Sequence, residues 1–500
     1  MDSPIHISDI TRFIKRFGNK RARNLFRLRT KQNDVTRLAR KFANSDNRDE
    51  DAWAKEIVGD RSTSQAYVRL RSQFKRRLLG HLFDLDLNKG SLLRKMMYSN
   101  MRRVFMIRVL VMLGARRAAM SLVPAALARA RKFEFTSDTI EMLRISRTNA
   151  AFEGKRIEFL RYDEELTRML LLRIAENRII SLHERFDVES VGLGSVSTTL
   201  EKLAAPSLKE AREIYQEFPT FNVGINYFRI ATTVAEIEGN FRFSIRLCDE
   251  SAFFLHQYPH HQNKSFDGEF AVKKLTAALS LRSLEEGQSA AKDCEKYFES
   301  GTNNWFVMME YQFLLYMHTQ RFDLASLCLK SVESNGRFES QAEQVRQKWS
   351  VFGLYLDFVF YPDRVQKARA LNKLVRNVPI YAKDKAGYNI SLLILYYLIL
   401  VDRGRLDEIV MLCGAMNQYL TRYLRTRKSS PLYAFLKCLV LFQRHNFNLR
   451  SARPYTTRYI RQFSTGYYSI EESQVLAYSD MWDRIITGVE RAHESMEGNR

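Results

Sequence analysis

The chain has 500 residues, 45% of them hydrophobic and 12% aromatic, which is ample material for several cores or one long repeat array. Its net charge of +23 is regional: residues 1–150 hold 33 Lys and Arg against 14 Asp and Glu, while the other 350 residues hold 46 against 42. That asymmetry argues for an acidic partner at one end and against a generally basic protein.

Nine prolines are few, as a helical chain requires. Five scattered cysteines (Cys248, Cys294, Cys328, Cys413 and Cys438) form no CxxC pair and sit within apolar patterns, which predicts reduced core residues in a cytoplasmic protein. The opening MDSPIHISDITRF lacks the apolar stretch of a signal peptide, and the most hydrophobic run, Ile390–Val401, falls short of the about 20 residues a bilayer requires. No membrane span is expected.

In chain order, Ser8 or Asp9 can cap a first helix with Ile10, Phe13, Ile14 and Phe17 on one face, ended by Gly18-Asn19. A short helix follows around Val35–Phe42, then a polar loop, Asn44–Glu50. Ser64 opens a longer helix with Tyr67, Phe74, Leu78 and Leu82 on one side and Arg69, Arg76 and Arg77 elsewhere. Ser91 caps the next, through Met101 and Phe105 to Gly114, and the Ala-rich Ala115–Arg131 packs back on it. Helices near Ser137–Phe152 and Lys155–His183 complete this part. The small, polar stretch Asp187–Ser207, with two glycines and a proline, reads as a linker. The expected division is a basic helical head at 1–90, helical hairpins at 91–186, the linker at 187–207, a repeat array at 208–490 and a tail at 491–500.

Within the array, Ala386–Leu420 sets the pattern. An apolar run ends at the turn Asp402-Arg403-Gly404, and Leu406, Ile409, Val410, Cys413 and Met416 then form one helical stripe. So short a turn makes an antiparallel helical hairpin. Second helices of such hairpins are predicted to begin near Phe241, Gln288, Phe322, Val365, Leu406 and Phe447. Helix pairs recurring at roughly 34 to 47 residues are the mark of an α-solenoid. The turns QRFDLASLC and GRLDEIVMLC resemble the middle of a tetratricopeptide (TPR) repeat, over roughly Leu208–Glu490 and without the Trp-Leu-Gly-Tyr positions of a regular one. The N-terminal half is also similar to uncharacterised bacterial proteins of Bacteroidetes type that join a basic helical head to TPR-like repeats; that resemblance implies no activity.

Motifs for chemistry are sparse. Asp84–Lys95 places Asp84, Asp86 and Asn88 like an EF-hand loop, but Gly90 comes one residue late and Lys95 stands where a bidentate Glu is needed. A helix stop followed by a Ser91 cap explains the stretch better. Gly192–Thr199 lacks the Lys-Ser/Thr of a P-loop. His256–Gln262 clusters three histidines around Pro259 with no acidic or cysteine ligand close in sequence, and reads as a loop with exposed imidazoles. No Gly-x-Ser-x-Gly, HExxH or dinucleotide fingerprint is present. No metal, cofactor or catalytic residue is expected.

Two sets of residues point to binding. In Arg12–Lys31 nine of twenty residues are Lys or Arg, interleaved with Phe13, Phe17 and Phe26. Arg12, Arg16, Lys20, Arg21, Arg23, Arg27 and Arg29 suit phosphate contact beside stacking on unpaired bases, or else form a solvated basic face on a helix whose aromatics are core. In the array, Asn222, Asn226, Asn304 and Asn389 fall at or near the starts of first helices. A side-chain amide can pair with both N–H and C=O of an extended peptide, and the TPR resemblance implies such use. Asn222 and Asn304 read equally as N-caps, whereas Asn226, next to Tyr227 and near Arg229, lies inside its helix. The expectation is therefore an all-α, TPR-like superhelix with a basic N-terminal region, acting as a non-enzymatic scaffold or adaptor for a protein or peptide. Nucleic-acid association through the head, and a peptide-sensing regulator, stay open as alternatives.

Overall fold

A computed structural model describes residues 10–11, 14–15, 23, 26, 33–44, 49–84, 91–190, 198–261, 263–361, 388–425, 428, 430–465 and 474–497. Among the described residues there are twenty α-helices, two short 3₁₀ turns and no strand, so the all-α expectation holds. The chain divides into two compact units, Met1–Arg173 and Ile174–Arg500.

In the first unit, α1 (Asp34–Asn44), α2 (Glu50–Val58) and α3 (Gln65–Gly80) each begin on a side-chain cap. Asn33 and Thr36 cap α1 reciprocally: the Thr36 N–H donates to Asn33 Oδ1 at 2.9 Å and the Asn33 N–H to Thr36 Oγ1 at 3.1 Å. Asp49 and Ser64 accept from Ala52 N and Tyr67 N, as free N–H groups at helix starts require. Their core joins Phe42, Trp53 and Phe74, with Phe42 and Phe74 stacked at 5.5 Å. A second core is built by α4 (Leu92–Met112), α5 (Arg116–Lys132), α6 (Thr136–Phe152) and the first half of α7 (Arg156–Ser190). Ser91 caps α4, as expected, by accepting from Arg94 N. Inside this group Asn100 Nδ2 donates to Asp138 at 2.8 Å, and Arg131 and Arg147 reach Glu165 and Asp163 on α7, both at 2.6 Å.

The second unit contains the rest of α7, then α8 (Thr198–Glu217), α9 (Phe221–Ile237), α10 (Phe241–His256), α11 (Lys264–Ser280), α12 (Leu284–Glu295), α13 (Asn303–His318), α14 (Phe322–Glu333), α15 (Glu343–Phe360), α16 (Tyr388–Asp402), α17 (Leu406–Tyr423), α18 (Pro431–Arg444), α19 (Leu449–Thr465) and α20 (Tyr478–Glu497). Each helix from α8 to α20 packs on the next, α11 also touches α13, and α20 returns onto α16. One buried cluster runs from Ala271 to Ala492. A separate aromatic cluster seats Phe254 among Phe221, Phe228 and Tyr258, and α9 comes so close that a Cβ on Gly224 would stand 2.3 Å from the Phe254 ring.

One turn chemistry makes the hairpins. Gly114, Glu134, Gly154, Gly239, Arg282, Gln320 and Gly404 all take φ between 50° and 77°, and the next helix starts two residues later each time. In each, the following N–H reaches back five residues: Arg321 N to Tyr316 O at 2.8 Å, Arg405 N to Leu400 O at 2.9 Å. This is the Schellman closure, which satisfies carbonyls that a helix end leaves free.

Several expectations need correction. The proposed linker Asp187–Ser207 is mostly helix: α7 runs to Ser190, α8 starts at Thr198 and holds Pro206 inside it, and 191–197 lie outside the described residues. The compact units part between Arg173 and Ile174, within α7. Second helices begin at Phe241, Phe322 and Leu406 as expected, but at Leu284 and Leu449 where Gln288 and Phe447 were read; Val365 lies outside the described residues. Val410 is half exposed, off the buried stripe of Leu406, Ile409, Cys413 and Met416.

Candidate functional site

Of the array residues singled out for peptide contact, Asn226 and Arg229 share α9, and both are engaged within the fold. Arg229 on α9 makes a bidentate pair with Glu269 on α11, at 2.8 and 2.6 Å. Asn226 is buried and donates to the Asn222 carbonyl one turn back, at 2.8 Å. Asn304 is exposed in the first turn of α13 and does not cap it; Thr302 does, accepting from Trp305 N. Asn222 is likewise no cap, since α9 starts after Thr220, and its amide donates to Glu176 on α7 at 3.0 Å. Asn389 lies in the first turn of α16, its side chain outside the described residues.

These contacts belong to a series that ties alternate helices together. Lys273 on α11 pairs with Glu236 on α9 at 3.4 Å, and Lys348 on α15 with Glu310 on α13 at 2.8 Å. All are largely withdrawn from solvent. A charge already held by a two-pronged hydrogen bond has little left to offer a peptide backbone. On this face the polar residues serve the packing of α9, α11, α13 and α15.

Of the seven basic head residues, Arg12, Arg16, Lys20, Arg21, Arg27 and Arg29 lie outside the described residues; Arg23 is exposed. Nearby, Ile14 is buried against the core of α1–α3, with Phe26 partly buried beside it.

Exposed apolar side chains are frequent on α4 and α7, and on α4 they form a line. Met97, Met101, Phe105 and Met112 fall at i, i+4, i+8 and i+15, one line along a helix, and the three methionines are 50%, 53% and 76% exposed. Arg94 and Arg108 fall on the same line. The helix carries five basic residues and no acidic one. At its C-terminal end a cavity of about 290 Å³ opens between α4, α5 and α6. Arg108 and Arg144 share one carboxylate there, Glu141, at 3.5 and 3.0 Å, and Arg116 stands 3.9 Å over the Phe152 ring. Two guanidiniums on one carboxylate leave an excess of positive charge beside a thioether line. Helical spacing of methionines among arginines was the sequence signal for this surface.

The titratable groups elsewhere are core residues. Burial pushes the Cys248, Cys294, Cys413 and Cys438 thiols up to about 12, and all five cysteines are free and buried. His261 is not the exposed imidazole expected: it stacks on Phe221 at 4.2 Å, and burial lowers its pKa to about 4. No group of three or more His, Cys, Asp or Glu able to hold a metal occurs among the described residues. No helix of the described residues is long and apolar enough to cross a membrane. No family model, no curated protein and no solved structure matches the chain.

Proposed function

We propose that the chain is a non-enzymatic scaffold, a TPR-like helical array whose partner is an acidic amphipathic helix held on α4. The observation that carries this reading is the exposed methionine line Met97, Met101 and Met112 on a helix with only basic charges. Methionine side chains adapt to varied apolar surfaces, which suits them to a helix-in-groove contact. The arginines around Glu141 would take carboxylates on the rim of such a ligand. The repeated Schellman turn and the ion pairs between alternate helices support a solenoid in the second unit.

The test uses the full chain and two labelled helical peptides with the same leucine face, one rimmed with Glu and one with Lys. Fluorescence anisotropy should show binding of the Glu peptide alone. Met101→Glu with Met112→Glu should weaken it at least tenfold, because both substitutions place carboxylates in the contact while leaving the core untouched. Equal binding of the Lys peptide, or no loss in the double variant, would refute the proposal.

A further inference from the structure

Between Ile409 and Ile470 the sequence contains no Asp or Glu, while it contains ten Lys and Arg. Much of this stretch is the hairpin α18–α19. On α18, Tyr433, Lys437 and Arg444 fall at i, i+4 and i+11, one partly exposed line. Arg458 of α19 borders that line: it stands 4.4 Å over the Tyr459 ring and donates to its hydroxyl, and Tyr459 lies 6.4 Å from Tyr433. Lys437 has its pKa lowered, first by partial burial and then by the charges of Arg444 and Arg458, so the three cations are near neighbours. Among the described residues none of the three has a carboxylate within 4.0 Å. Tyr455, in the second turn of α19, is 54% exposed and lies flat on the ring of His445 at the end of α18, 4.6 Å away with planes 20° apart.

The contrast with α9–α15 is physical. There Arg229, Lys273 and Lys348 each hold a carboxylate on an alternate helix; here like charges are held together without one. Clustered unpaired cations repel one another, so a ligand that neutralises them is favoured. The rings narrow its class. An acidic peptide would satisfy the cations, but its charged side chains bring no ring to stack on Tyr455. A duplex keeps its bases inside and offers phosphates alone. A single strand offers phosphates and bases side by side, the pairing that Arg and aromatic residues on one face accommodate.

We propose that the exposed face of the α18–α19 hairpin, centred on Lys437, Arg444, Arg458 and Tyr455, binds single-stranded nucleic acid. The cations take successive phosphates and Tyr455 takes a base. This face is built by other helices than α4 and does not depend on the scaffold reading.

The experiment measures anisotropy of labelled oligo-dT and oligo-rU, about twenty nucleotides long, with the full chain between about 50 and 200 mM salt. The triple variant Lys437→Ala, Arg444→Ala, Arg458→Ala should bind more weakly, with a log–log salt slope shallower by about 2, since each phosphate contact on a single strand contributes about 0.7. Charge-keeping replacements (Lys437→Arg, Arg444→Lys, Arg458→Lys) should restore that slope, which excludes misfolding as the cause. Tyr455→Ala should cost roughly 5- to 150-fold in affinity with the salt slope unchanged, as loss of stacking does. The proposal is overturned if neither oligonucleotide binds, or if oligoglutamate or duplex competes as well as unlabelled single strand. It is equally overturned if replacing Arg21, Arg23, Arg27 and Arg29 by Ala abolishes binding while the α19 and α18 variants leave it intact.

Discussion

Replacing Arg229 separates a structural role from a ligand-binding one. Its guanidinium makes two hydrogen bonds to Glu269, at 2.8 and 2.6 Å, with side chains 22% and 30% exposed. Hydrogen bonds to charged groups contribute about 1.5–3 kcal/mol, and breaking a fully buried pair costs about 3–5 kcal/mol. Partial exposure places Arg229→Ala below the second range, at about 2 kcal/mol, with a few tenths more from the cation standing 5.5 Å over the Phe266 ring. Glu269→Ala should cost a similar amount. The double variant should cost less than the sum by about 1 kcal/mol or more, because each single change strands the other charge. Urea unfolding followed by helicity reads all four corners of this cycle. Midpoints for Arg229→Ala indistinguishable from the parent, or additive single effects, would refute the structural assignment and return Arg229 to the surface a ligand touches.

Two further measurements probe the turns and the core. Gln320 holds φ 58° where Gly404 performs the same turn, so Gln320→Gly should stabilise by about 0.5–1 kcal/mol, read as a raised melting temperature, while Gly404→Gln should destabilise comparably. His318 is buried with its ring Nε2 2.8 Å from the Gln474 carbonyl, and burial lowers its pKa to about 4. The unfolded chain therefore takes up that proton first as pH falls through 6.5. Stability conferred by the neutral ring is whole above 6.5, declines between 6.5 and about 4, and is flat below. Lowering the pKa from 6.5 to about 4 corresponds to roughly 3 kcal/mol. His318→Gln should flatten the fall in urea midpoint over that window, the parts due to His261 and His183 remaining.

The hairpins were legible because their signal is local. A residue tolerant of positive φ, such as Gly404, followed two positions later by an apolar residue, such as Leu406, marks the Schellman closure whatever lies elsewhere in the chain. Proline was a poorer guide. Pro206 lies inside α8, as Pro124 lies inside α5 and Pro454 inside α19, so a proline among small residues did not mean a linker. The helix packing that fixes those segments comes from neighbours, and no window of sequence contains it.

Charge was legible only as a sum, and summing concealed its arrangement. Arg229 and Glu269 are forty residues apart, as are Lys348 and Glu310 nearly so, and nothing local says that they meet. Glu236, Glu269 and Glu310 in α9–α15 hold cations, and the near balance of the last 350 residues conceals that Ile409–Ile470 has no acid at all. Neutrality averaged over residues far apart does not screen a field, since unpaired charge acts within about a Debye length, roughly 10 Å at 0.1 M salt. Lys437, Arg444 and Arg458 therefore act as a local positive surface in a part of the chain whose overall charge looks unremarkable.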